Sequence, residues 1–165
     1  MNVSRNDLMP FEPSEVGRLI ETIWTVVLDC NVQCVPMPAS LQDATGVLTG
    51  MVEITGGWEG VVALECPSGF VRQAASLMFE IEPDLVTADQ LEDTLCELTN
   101  IVGGNFKALL PPASHLGLPS VTKDANSSGA LPGARVLTRL AFETSGFVFV
   151  VTILSGAAVF DEVVQ

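Results

Sequence analysis

Residues 87–105 read Thr87-Ala88-Asp89-Gln90-Leu91-Glu92-Asp93-Thr94-Leu95-Cys96-Glu97-Leu98-Thr99-Asn100-Ile101-Val102-Gly103-Gly104-Asn105, and they carry the strongest helix signal in the chain. Thr87 and Gln90 have the spacing of a capping box, and Val86 and Leu91 that of a hydrophobic staple. Leu91, Leu95, Leu98, Val102, Phe106 and Leu109 then recur along one stripe, the pattern of a helix lying on a core. At about 100° per residue, Asp93, Glu97, Asn100 and Gly104 gather on the opposite stripe, within roughly 60° of one another. A carboxylate, a carboxamide and a bare patch of backbone are thereby presented to solvent on a rigid rod, a shape suited to reaching into another molecule. The helix is expected to run from Ala88 to about Leu110, where Pro111 and Pro112 stop it.

On the N-terminal side the period changes from helical to two. Leu48, Gly50, Val52 and Ile54 alternate with Thr49, Met51, Glu53 and Thr55. Gly56-Gly57 reads as a tight turn, and Trp58 to Glu65 as the returning strand of a hairpin that starts at Thr45. Pro67 and Ser68 open a shorter helix with Phe70, Ala74, Leu77 and Met78 as its apolar positions, broken at 80–84. Further upstream, Pro13 and Ser14 start a helix whose repeat is Val16, Ile20, Ile23, Trp24 and Val27. Residues 31–44 read as a connection and residues 1–11 as a loose leader.

On the C-terminal side, Pro119 to Lys123 reads as a short strand and Asn126 to Gly133 as a loop. His115 is placed in a loop or at a helix end. Arg135 to Glu143 alternates Val136, Thr138, Leu140 and Phe142 against Leu137, Arg139 and Ala141, as a half-buried strand does. Phe147 to Leu154 is apolar on both faces, which places it in the middle of a sheet. The order is helix, hairpin, two helices, three strands. These features predict an α+β fold, long helices packed on an antiparallel sheet, in one domain spanning residues 1–165.

Seven basic residues against 20 acidic ones give a net charge of −13. Such a field repels nucleic acid and anionic membrane; it suits a partner with a cationic patch or a metal-filled acidic pocket, or serves only to keep an apolar protein soluble. The longest apolar run, Phe147 to Leu154, is too short to span a bilayer as a helix. Glu12 and Glu15 stand where a secretory leader would be basic and then apolar, so a cytoplasmic location is expected. Cys30, Cys34, Cys66 and Cys96 do not have zinc-site spacing and are read as reduced thiols.

Two features of the polar stripe are costly. Asparagine is a poor choice inside a helix, and each of Gly103 and Gly104 costs about 1 kcal/mol relative to alanine. The glycines either permit close helix packing or leave room for a docked partner. Residues 93–105 also resemble the signature of the CheC/CheX/FliY family of chemotaxis phosphatases. In that signature an acidic or serine residue precedes a glutamate by four positions and an asparagine follows the glutamate by three, with glycines after it. Asp93, Glu97, Asn100 and the Gly103-Gly104-Asn105 run match, and the order of elements from about residue 14 to 160 is similar as well. The resemblance is closer to CheX than to CheC, whose members carry two such signatures. Glu15 is followed at the third position by Arg18, Glu21 by Trp24 and Glu65 by Ser68, so no second site is expected. Pro119 stands nearer to Asn100 than the family's downstream proline does.

The resemblance implies an activity: hydrolysis of the aspartyl-phosphate of a CheY-type response regulator. Asn100 would position the attacking water and Glu97 would pair with a regulator lysine. Asp93, Gly103 and Gly104 would contact the partner. No cofactor of its own is implied, since Mg2+ would sit in the regulator. It also implies a homodimer joined at sheet edges, supplied by the 45–55 hairpin or by the C-terminal strands. Two other readings stand beside it. A module of the same fold could bind a regulator or a signalling complex without hydrolysis, which a phosphate-release assay would reveal. An unrelated domain could bind a small molecule between its long helices, which a buried Asn100 would favour.

Overall fold

The computed structural model describes residues 10–41, 46–123 and 134–156. The expected loop 126–133, the start of the hairpin at Thr45 and residues 1–9 of the leader lie outside them. In chain order the elements are α1 (Pro13–Leu28), β1 (Gln33–Val35), β2 (Val47–Gly56), β3 (Gly60–Pro67), α2 (Ser68–Phe79), a 3-10 turn (Pro83–Leu85), α3 (Ala88–Lys107), β4 (Ser114–Leu116), β5 (Ser120–Thr122), β6 (Arg135–Thr144) and β7 (Phe147–Ser155). Among the described residues the architecture is α+β, three helices on an antiparallel sheet. The strand order is β1-β6-β7-β3-β2-β4, with β5 also pairing β2.

Local chemistry accounts for the helix starts. In α1 the Glu12 amide donates to the Glu15 carboxylate at 2.6 Å. In α3 the Thr87 hydroxyl accepts from the Gln90 amide at 3.2 Å, and the Gln90 carboxamide accepts from the Thr87 amide at 3.0 Å. The capping box is therefore present as expected. Helix α3 ends at Lys107, earlier than the expected Leu110. Residues 108–110 tighten into 3-10 turns, with the Leu109 amide donating to the Phe106 carbonyl at 2.9 Å, before Pro111 ends the ladder.

The core lies between the helices and one face of the sheet. Phe149 on β7 is stacked by Trp24 at 4.5 Å, and Phe142 and Phe70 stack at 5.4 and 5.6 Å. Offset-stacked rings at these separations add to what area burial alone contributes. The centre of the opposite face is also buried, through Met51, Val61, Ala63 and Leu154. There Glu65, buried on β3, meets Arg139 on β6 at 3.4 Å, so its carboxylate is not left uncompensated. Among the described residues no helix is long and apolar enough to cross a membrane.

Several expectations are corrected. Phe11 is not part of a loose leader: it is buried, and its ring meets Phe106 edge-on at 4.8 Å. Residues 33–35 form β1 within the expected connection, pairing with residues 141–143 of β6. His115 lies in β4, opposite Thr55. Trp58 does not start the returning strand. It turns inward from the hairpin loop to meet Phe106 edge-on at 5.7 Å, and the strand begins at Gly60, where a side chain would collide with the Trp58 ring.

A bulge between Val136 and Thr138 shifts the register of β6. Leu137 consequently packs on the core while Val136 is 50% exposed, the reverse of a strict alternation. The expected sheet edges change as well. The outer side of β2 is covered by β4 and β5, and β7 lies between β6 and β3. Among the described residues β6 keeps part of its outer side uncovered, because β1 pairs with just residues 141–143.

Helix α3 crosses β2 where Gly50 leaves room for Thr99 and Leu95; a Cβ at position 50 would collide with the Thr99 hydroxyl. Gly50→Ala is expected to cost about 2 kcal/mol or more through overpacking. Urea unfolding of the variant checks this, and an unchanged midpoint would mean that the crossing is looser than described.

Candidate functional site

The sequence of α3 sorts its side chains by burial as its periodicity requires. Thr94, Leu95, Leu98, Thr99, Val102, Gly103 and Phe106 are buried. Asp93, Glu97, Asn100 and Gly104 are all exposed, forming one ridge along the outside of the helix. The spacing of three and four residues brings consecutive ridge positions to about 5–6 Å between Cβ atoms. The two buried hydroxyls are satisfied within the helix: Thr94 donates to the Gln90 carbonyl at 2.7 Å and Thr99 to the Leu95 carbonyl at 2.6 Å.

The two asparagines of α3 differ. Asn105 donates its carboxamide to the Ile101 carbonyl at 2.8 Å and is thus engaged by its own helix. The Asn100 side chain makes no hydrogen bond with a described residue, and neither Asp93 nor Glu97 has an ion-pair partner among them. The ridge groups remain available to a second molecule. An exposed Asn100 weakens the reading in which it would line a small-molecule cleft.

The two glycines also part company. Gly103 is buried, and a Cβ there would stand 2.6 Å from a Val52 methyl and 3.0 Å from a Leu116 methyl. It serves the packing of α3 on β2 and β4, which corrects the expectation that it faces a partner. Gly104 is exposed, and a Cβ there would meet only Leu116, at 3.9 Å. Nothing within the described fold requires a glycine at 104.

No second ridge of this kind is formed by the other candidates. Glu15 caps α1, Trp24 is fully buried, and Glu65 lies on a strand in an ion pair. Sequence reasoning missed Leu118, which is 92% exposed. It follows Gly117, whose amide donates to the Glu53 carbonyl at 2.8 Å, and Leu116, which lies against Gly103 and Gly104. No periodic pattern flags a single apolar residue in a loop. Among the described residues no group of three metal-ligating side chains is present. The four cysteines are free. Burial, and then the neighbouring Glu65, push the Cys66 thiol far above its usual range. Desolvation with Glu92 and Asp93 raises that of Cys96. Neither thiol is primed as a nucleophile.

Fold and ridge together define an α+β protein that presents an uncommitted polar helix face, and sequence comparison places it in a family. The family model described as chemotaxis phosphatase CheX matches residues 48–143, a span from β2 through most of β6 that contains the whole ridge. The chain belongs to this CheX family of chemotaxis phosphatases. Solved structures show the same fold. CheX from Vibrio vulnificus superposes with a TM-score of 0.69 at 14% identity, over 88% of this chain and 97% of that one. The CheX-CheY-BeF3-Mg+2 complex from Borrelia burgdorferi gives 0.63 at 18% identity, over 88% and 99%. A CheC-like superfamily protein from Shewanella sp. PV-4 gives 0.61 at 16% identity, over 95% and 100%. No curated protein sequence matches the chain.

The contrast between the glycines is measurable. Gly103→Ala is expected to destabilise the fold by about 1–3 kcal/mol through overpacking. Gly104→Ala is expected to stabilise it by up to about 1 kcal/mol, the helix-propensity gain. Thermal unfolding of both variants checks the signs.

Proposed function

We propose that this protein accelerates hydrolysis of the aspartyl-phosphate of a CheY-type response regulator, with the α3 ridge inserted beside the phosphoryl group. Membership of a phosphatase family supports the reaction class, and the relative solved as a CheX-CheY complex supports the partner. The observation that carries the reading is Asn100, exposed and with its carboxamide uncommitted on that ridge.

An acyl phosphate is already activated, so its hydrolysis needs an aligned water and compensated charge more than a strong base. The Asn100 oxygen accepts from the water and its amide donates, holding the water in line with phosphorus. Glu97, one turn before, pairs with a lysine of the regulator, and the attraction grows as water leaves the interface. Asp93 tunes docking further out. Gly104 leaves the helix backbone bare, so the partner approaches closely. Leu118 supplies an apolar contact beside these charges. Mg2+ and the phosphorylated aspartate belong to the regulator in this reading, and no cofactor of this chain takes part. Such a partner is met in the cytoplasm. Self-association through the part of β6 that β1 leaves uncovered belongs to the same proposal; light scattering that gives a monomer at all concentrations would reject that element alone.

Phosphate release should be followed with phosphorylated regulators from the source organism. Asn100→Ala is expected to slow turnover about a hundredfold, the scale of losing one positioned polar group. Its unfolding midpoint should stay within about 0.5 kcal/mol of wild type, as for other exposed positions. Glu97→Ala is expected to weaken association about tenfold. Undiminished turnover by Asn100→Ala removes the catalytic role. Tight regulator binding by the wild type with no phosphate release identifies a non-catalytic module instead.

A further inference from the structure

A cleft of 460 Å³ opens between the first turns of α2 and α3, the start of β2, and β5. Its size falls within the range of small-molecule sites. Leu48 and Leu91 give it an apolar floor, and both are partly buried against the main core. Four charged residues line it: Arg72, Asp89, Glu92 and Lys123. Arg72 is half-buried and fixed, its Nη1 donating to the Pro83 carbonyl at 3.1 Å and the Val86 carbonyl at 3.0 Å. Those carbonyls orient the guanidinium without neutralising it.

None of the four forms an ion pair with a described residue. Within that set the bridge found joins Glu65 to Arg139 on the other side of the sheet. Two cations and two anions thus share one recess without cancelling each other. A chain with seven basic residues against 20 acidic ones has few cations to place, and two of them line this recess. A simple anion entering here meets Asp89 and Glu92, and a simple cation meets Arg72 and Lys123. A ligand carrying both signs finds a partner for each.

We infer that this cleft binds a small zwitterion with an apolar body, of the size of an aliphatic dipeptide. Its carboxylate is held by Arg72 and Lys123 and its ammonium by Asp89 and Glu92, over the floor of Leu48 and Leu91. The inference is independent of the dephosphorylation reading, because none of the ridge residues lines the cleft.

Isothermal titration of the full chain with leucyl-leucine tests it, with N-acetyl-leucyl-leucinamide as the uncharged control. Saturable binding of the free dipeptide is expected, at least about tenfold tighter than that of the blocked one. Glu92→Gln and Lys123→Gln are each expected to weaken it about threefold to fivefold, the scale of a solvent-facing ion pair, with thermal stability unchanged. Absence of binding up to the solubility limit overturns the inference. So does equal binding of the blocked dipeptide, or equal binding by wild type and both variants.

Discussion

The approach of α3 to β2 depends on two missing side chains, one on each element. Gly50 on the strand receives Thr99 and Leu95, and Gly103 on the helix receives Val52 and Leu116. Close-packed interiors tolerate little change in volume, so the seat of the helix is set to within a fraction of a methyl group. The consequence extends to the opposite stripe of the same helix. A rod seated this firmly on the sheet presents Asp93, Glu97 and Asn100 in a fixed line, and a rigid supporting element is what a positioning site requires.

That division of labour explains why the polar groups of α3 fall into two kinds. Those facing inward are consumed locally: Thr94 and Thr99 donate to carbonyls one turn earlier. The ridge groups Asp93, Glu97 and Asn100 are left open, whereas Asn105, also exposed, donates to its own helix. The proposed water-positioning role asks of this chain one carboxamide, with no metal, nucleophile or perturbed base of its own. The groups with shifted acidity here are Cys66 and Cys96, and both shifts make them less reactive.

Long periodic segments were legible in the sequence because their pattern repeats: α1, α2, α3, the β2–β3 hairpin, β6 and β7 are present where the apolar spacing places them. The capping box at Thr87 and Gln90 was legible because it is local. What was not legible depends on distant partners. Strands β1 and β4 are three residues each, too short for a period, and exist because β6 and β2 offer them an edge. Phe11 looks like leader until Phe106 is beside it. The bulge near Leu137 turns Val136 outward with no mark in the alternation. At the site, the exposure of Asp93, Glu97, Asn100 and Gly104 follows from helical geometry. The separate duties of Gly103 and Gly104 do not, because only the neighbouring strands distinguish them.

The outer side of β2 is covered by two short strands and not by one long one. β4 pairs with residues 54–56 and β5 with residues 49–51, and the chain between them leaves the sheet at Leu118 and Pro119. The border of the sheet is therefore interrupted beyond Gly117, whose amide still holds the Glu53 carbonyl of β2. A border broken in this way gives an incoming strand no continuous row of open backbone groups to extend.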